Sequence, residues 1–234
     1  MIAHGDTGAT TGKSFSLYRS PSLGGRVVNA EEPIIYVLDD DLRIREALLG
    51  LLTSSGMRVV TFEDAAEYLK FTKPDAPGCL ILDLELPGMN GLELQKELAG
   101  TEGPPIIFLT GHGDISSSVT AMKAGATEFL SKPFEEDDLL RAIDAALLID
   151  RQTRAKNTEL NAIKKRYALL TPREREVLPF VVTGLLNKQT ASELGTSEIT
   201  IRIHRGQIMR KMAAESLADL VRMAAKLGIP NSDI

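Results

Sequence analysis

The run Cys79-Leu80-Ile81-Leu82 delivers Asp83 to its end, and Leu84-Glu85-Leu86-Pro87-Gly88-Met89-Asn90-Gly91 turns the chain at once. A short apolar run of this kind reads as a strand buried on both faces, and ligands of open α/β sheets sit beyond the carboxyl ends of such strands. A carboxylate there can serve as an oxygen nucleophile or as a cation ligand. One acid before a turn is, taken alone, more often a cap or turn residue. Three further polar groups in the same position reverse that preference. Ile34-Ile35-Tyr36-Val37-Leu38 ends in Asp39-Asp40-Asp41, Ile106-Ile107-Phe108-Leu109 ends in Thr110, and Glu128-Phe129-Leu130 runs into Ser131-Lys132-Pro133.

If these strands are neighbours, their ends bring Asp39, Asp40, Asp83, Thr110 and Lys132 together. Three close carboxylates do not all stay ionised without a cation, and such oxygen ligands suit Mg²⁺, which binds through one or two carboxylates plus water and phosphate. Lys132 would pair with a phosphoryl group and the Thr110 hydroxyl would hydrogen-bond it. Asp83 would be the nucleophile, forming an acyl phosphate.

The elements that must position these groups can be read from periodicity. Ile44, Ala47, Leu48, Leu51 and Leu52 recur at helical spacing up to Gly56. A strand around Val59-Val60 and a short helix over residues 64–71 precede the Asp83 strand. Leu92, Leu94 and Leu98 mark the next helix, residues 116–124 another, and residues 136–149 the last. Five strands alternating with five helices predict a doubly wound parallel sheet covered on both faces.

Charge divides the 234 residues further: residues 33–150 are net −12 and residues 151–234 net +7, while residues 1–32 balance. An acidic half suggests a cation as ligand, and a basic half a polyanion. The single Cys79 excludes an internal disulfide and reads as a core residue. No apolar stretch is long enough for a membrane span, and the N-terminus does not read as a secretory signal, so a cytoplasmic protein is expected. Residues 1–32, rich in Gly, Ser and Thr, read as a disordered extension. Residues 8–14 imitate a phosphate loop, but three residues separate the glycines where four are required, and no strand precedes them. His112 reads as a polar loop residue, since no second His or Cys lies at a metal-ligand spacing.

Residues 151–166 contain no Gly or Pro and are expected to be helical. Beyond them the punctuation sharpens: Thr171-Pro172-Arg173-Glu174 is a capping box, Gly184 and Gly195 are stops, and Ser197 and Ser216 are caps. Helix, short glycine turn, helix is the helix-turn-helix arrangement. Arg202, Ile203 and Gly206 share a face of the third helix suited to base edges, whereas Arg205 and Lys188 suit phosphates.

Residues 33–150 resemble a response-regulator receiver domain. The matching pieces are Val37-Leu38-Asp39-Asp40-Asp41, Asp83 through Gly91, Thr110-Gly111-His112-Gly113-Asp114, and Phe129-Leu130-Ser131-Lys132-Pro133-Phe134. The resemblance implies the strand order 2-1-3-4-5, phosphorylation of Asp83 by a sensor histidine kinase, and Mg²⁺ held by Asp39, Asp40, Asp83 and the carbonyl of Glu85. Thr110 and Lys132 would contact the phosphoryl group, Phe129 would move with Thr110, and the phosphorylated protein would form a homodimer.

Residues 168–234 resemble a LuxR-type DNA-binding domain, an all-α unit of four helices, through Leu170-Thr171-Pro172-Arg173-Glu174-Arg175-Glu176-Val177-Leu178, Gly184, Asn187-Lys188, Leu194-Gly195, His204-Arg205 and Lys211-Met212. Both halves together resemble the FixJ group of the NarL/FixJ regulators, with residues 151–167 as a helical linker. Promoter DNA is the implied partner, with RNA polymerase a further one, and Lys188, Thr200, Arg202, Ile203, His204, Arg205, Gly206 and Arg210 are the implied contacts. Three features depart from the family: Pro179 inside the first helix, Glu198-Ile199 in place of Pro-Arg, and Gly206 where a larger side chain is usual. Two readings stand: a phosphorylation-controlled transcription regulator, not an enzyme, and a phosphoacceptor module acting through protein contacts with DNA affinity lost to those departures.

Overall fold

The computed structural model of the chain describes residues 32–101, 103–111 and 115–229, with the backbone alone at 115–117. The loop imitation at residues 8–14 and the reading of His112 lie outside the described residues, as does the sequence up to residue 31. Two compact units divide between Asp150 and Arg151.

In the first unit, β1 (Ile34–Leu38), β2 (Arg58–Phe62), β3 (Gly78–Asp83), β4 (Ile106–Thr110) and β5 (Glu128–Ser131) form a parallel sheet in the order β2-β1-β3-β4-β5. The apolar runs become strands buried on both faces because helices cover each side. Tyr36, Leu38, Leu80, Leu82 and Phe108 pack on one face against α2 (Ala65–Lys70), α3 (Gly91–Leu98) and α4 (Ile115–Lys123). Ile35, Val37, Ile81, Ile107 and Leu109 pack on the other against α1 (Leu42–Ser54) and the first part of α5 (Glu136–Ala168). The expected helix over 136–149 and the expected helical stretch over 151–166 are one element, α5.

Register places the site. Leu38 pairs with Leu82, so Asp39, just past β1, and Asp83, the last residue of β3, lie side by side. Asp83 pairs with Leu109, which puts Thr110 one residue further along, and Thr110 pairs with Ser131, which carries Lys132 out beyond them. At the opposite end of the sheet the N–H of Gly78 donates to the buried carboxylate of Asp150 at 2.9 Å.

The second unit contains α6 (Pro172–Val182), α7 (Asn187–Glu193), α8 (Glu198–Met212) and α9 (Leu217–Lys226). Its core joins Ile163 to Val177, Leu178, Ile201, Ile208, Met212 and Leu220. Thr171 caps α6 by accepting from the Glu174 N–H while Glu174 accepts from the Thr171 N–H, and Ser197 and Ser216 cap α8 and α9. α6 runs unbroken through Pro179. Proline there removes one helical hydrogen bond at a cost of about 3 kcal/mol. Burial of Val177, Leu178, Val181 and Val182 around it offsets that loss. Among the described residues no helix is long and apolar enough to cross a membrane.

Candidate functional site

At the carboxyl end of the sheet, the Lys132 Nζ lies 2.7 Å from Oδ2 of Asp39 and 2.8 Å from Oδ2 of Asp83. The other oxygen of each carboxylate accepts a backbone N–H: Asp41 donates to Asp39 at 2.9 Å and Glu85 to Asp83 at 3.2 Å. Asp39 and Asp83 are buried, whereas Asp40 is exposed. The three aspartates each offer a carboxylate oxygen within 4.8 Å of the others, a group that could hold a metal ion. Beside them a groove of about 500 Å³ is lined by Asp40, Glu85, Leu86, Pro87 and Asn90.

Charge within this cluster does not balance, since one ammonium faces two buried carboxylates with a third close by. Burial raises the Asp83 carboxyl above its ordinary range, Lys132 and the Glu85 N–H pull it back down, and Asp39 adds to the upward push. Burial pulls Lys132 down, yet its bonds to Asp39 and Asp83 outweigh that and raise it. The Lys132 shift has the sense expected beside two carboxylates, whereas that of Asp83 comes first from burial; a bound cation would favour the charged form of both aspartates.

Thr110 is buried, and its carbonyl accepts the Lys132 N–H at 2.6 Å, tying the ends of β4 and β5 together. Phe129 is half-buried with its ring 6.2 Å from that of Phe108. Glu85 is exposed in the loop after Asp83. Cys79 is fully buried within β3, and burial together with nearby Asp150 pushes its thiol up to about 12, which leaves it inert.

Sequence reasoning did not find Arg45, whose guanidinium donates to the carbonyls of Asp39 and Asp40 at 2.7 and 2.9 Å and holds the acidic loop. Nor did it find that Lys211 donates to both oxygens of the buried Glu174, at 3.0 and 2.7 Å. Burial raises the Glu174 carboxyl, but Lys211 and the capping bonds at Thr171 outweigh it and hold the group below its ordinary value. Glu174 was legible as a cap, but its second partner, on α8, was not.

On the second unit, α7 and α8 meet through the turn at Gly195, whose φ of +59° lies in the left-handed region that glycine adopts at low cost. Ile201, Ile208 and Met212 turn α8 toward the core. Arg202, Ile203, Gly206 and Arg210 lie exposed, and Thr200 and His204 are half-buried. Lys188 is exposed on α7. The guanidinium of Arg205, expected to take phosphates, donates to the carbonyl of Leu185 at 3.1 Å, so at least part of it fastens the end of the loop ahead of α7 to α8.

Comparison with known proteins follows this division. Residues 35–144 match the response regulator receiver domain, and residues 168–224 match the bacterial regulatory proteins of the luxR family. The chain is 48% identical to nodulation protein W of Bradyrhizobium diazoefficiens, covering 88% of this chain and 91% of that one. It is 41% identical to the transcriptional regulatory protein FixJ of the same organism, covering 84% and 97%. A low-resolution structure of the response regulator StyR superposes with a TM-score of 0.73 at 45% identity, covering 83% of this chain and 99% of that one. A receiver sheet with its acidic end, followed by a helix-turn-helix and matched over most of its length by such relatives, places the chain among the two-component response regulators with a LuxR-type DNA-binding domain, close to the FixJ group.

Proposed function

We propose that the protein is phosphorylated on Asp83 by a sensor histidine kinase, dimerises in that state, and then binds promoter DNA through α8. The observation that carries this reading is the placement of Lys132 between Asp39 and Asp83 at the end of β3, where a carboxylate, a cation-binding pair and a phosphate-pairing ammonium converge. In the transfer an oxygen of Asp83 attacks the phosphorus of a phosphohistidine, the P–N bond breaks, and the departing imidazole keeps the electron pair and takes up a proton. Asp39, Asp40 and Asp83, whose carboxylate oxygens lie within 4.8 Å of one another, would hold Mg²⁺ together with the Glu85 carbonyl, and the ion when bound would supply positive charge to the phosphoryl oxygens.

Lys132 then pairs with the phosphoryl oxygens, and the Thr110 hydroxyl turns inward to donate to them. Phe129, at the neighbouring end of β5, takes the space Thr110 leaves, so a charge event at Asp83 alters the α4, β5 and α5 surface used for dimerisation. Residues 33–150 act as receiver, 151–167 as linker and 168–234 as DNA-binding domain, where Lys188, Thr200, Arg202, Ile203, His204, Gly206, Arg210 and the free donors of Arg205 face the duplex. RNA polymerase is the further partner. The continuity of α6 through Pro179 supports DNA binding over the protein-contact reading, which drew on that proline.

The direct test is the intact mass after treatment with acetyl phosphate and Mg²⁺. One phosphoryl adduct on the native chain and none on Asp83→Asn supports the assignment. An adduct that persists in Asp83→Asn removes Asp83 as the acceptor.

A further inference from the structure

Two large aliphatic side chains on α8 stand in water: Ile199 is 62% exposed and Ile203 57%. Single exposed apolar residues are commonplace. These two, however, are four residues apart and therefore stacked on one helical face. At about 100° per residue, Ile199, Ile203, Gly206 and Arg210 fall on a single stripe, on the side opposite Ile201, Ile208 and Met212, which are fully buried. A Cβ placed on Gly206 would meet nothing within 4 Å, so the stripe has open space at its middle. The helix is thus lined along one edge by an isoleucine pair, then a gap, then a guanidinium.

The surroundings identify what covers this stripe. Arg202 is exposed about 60° to one side, Arg210 closes the far end, and Lys188 is exposed on α7. The stretch from residue 151 onward is net +7, and Glu198 is the only acid on α8. An apolar strip with a cation along one side and another at its end complements a surface that is apolar where the isoleucines meet it and anionic beyond. In the major groove that surface is the C5-methyl groups of thymines between two phosphate backbones. The net positive charge of this half and the single acid on α8 favour a polyanion over a protein surface as what meets the stripe.

We propose that Ile199 and Ile203 are specificity-determining residues that read the C5-methyl groups of two thymines, with the open position at Gly206 letting the helix approach the base edges. This rests on the DNA-binding reading given above and deepens it: the arginines supply hydrogen bonds and charge, while the isoleucine pair adds discrimination for A·T pairs at two positions. Ile199, which departs from the family pattern, gains a function in place of the donor it replaces.

The test uses the full chain phosphorylated with acetyl phosphate and Mg²⁺, and a pool of random duplex DNA. Selected duplexes are then remade with uracil in place of thymine, one position at a time, which removes a single methyl group and leaves every hydrogen-bonding edge unchanged. The native chain is expected to lose about three- to fourfold in affinity at each of two positions, the scale of one buried methyl group. Ile199→Ala should abolish the loss at one position and Ile203→Ala at the other. Both side chains lie outside the core, so neither variant threatens the fold. Equal binding of thymine and uracil duplexes by the native chain overturns the proposal, as does an unchanged uracil penalty in the two variants. Selected DNA with no methyl dependence sinks this inference alone, whereas failure to select any DNA sinks the DNA-binding reading with it.

Discussion

Gly91 packs against the backbone of Asp83 so closely that a Cβ there would sit 2.5 Å from the Asp83 carbonyl oxygen. The Gly91 N–H also donates to the Leu84 carbonyl at 3.0 Å, closing the loop that follows β3. The start of α3 is thereby fixed against the end of β3. This glycine is needed for close approach and not for an unusual φ, because helix geometry continues from it and its Cβ position is filled by its neighbours.

Gly91→Ala must push the loop away from Asp83 or shift α3. Overpacking of this kind costs roughly 1–3 kcal/mol. The expected outcome is a lower denaturation midpoint and slower acetyl phosphate labelling of Asp83. Native labelling kinetics in the variant would show that the loop yields without disturbing the carboxylate.

Lys132→Met removes the cation between Asp39 and Asp83. Breaking a buried ion pair costs about 3 kcal/mol, because the remaining charges lose their partner. The Asp83 carboxyl is already raised by burial and by Asp39, and without the ammonium it rises further. A carboxyl raised on folding favours the protonated folded state, so the deficit of Lys132→Met should be largest at neutral pH and shrink as pH falls through the range where Asp83 protonates. Denaturation of the variant at several pH values, with and without Mg²⁺, checks this. A pH-independent deficit would contradict the charge argument.

Glu174→Gln preserves the shape of the capping box at Thr171 but removes the charge facing Lys211. Because Glu174 is held below its ordinary value of 4.5, its charged form stabilises the fold above that pH, and the contribution is lost as pH falls through the lower folded value. The variant should be less protected at neutral pH, by about 1–2 kcal/mol. The difference should close under acid conditions. Hydrogen exchange in α6 and α8 measures it locally.

Much of the sheet was legible because the physical signals are local. β1, β3 and β4 are continuous apolar runs, and the residue at or just past the end of each is the polar one that the register then aligns: Asp39, Asp83 and Thr110. Caps at Thr171, Ser197 and Ser216 were legible for the same reason, since an N-cap and its helix are adjacent in sequence. Pairs closed by the tertiary fold were not. Nothing local marks Gly78 as the partner of Asp150, Glu174 as the partner of Lys211, or Arg205 as the donor to Leu185. Pro179 shows the converse, a local helix-breaking signal overridden by four buried neighbours.

If phosphate on Asp83 governs DNA binding by α8, the two should be lost together. Genomic DNA selection at moderate salt with the native chain and Asp83→Asn, both treated with acetyl phosphate and Mg²⁺, separates the outcomes. Sequence-specific enrichment by the native chain and not by Asp83→Asn is the predicted result, with binding that weakens steeply as salt rises. If neither protein selects DNA while Asp83 of the native chain carries phosphate, control of DNA binding by Asp83 is ruled out and the chain signals through protein contacts.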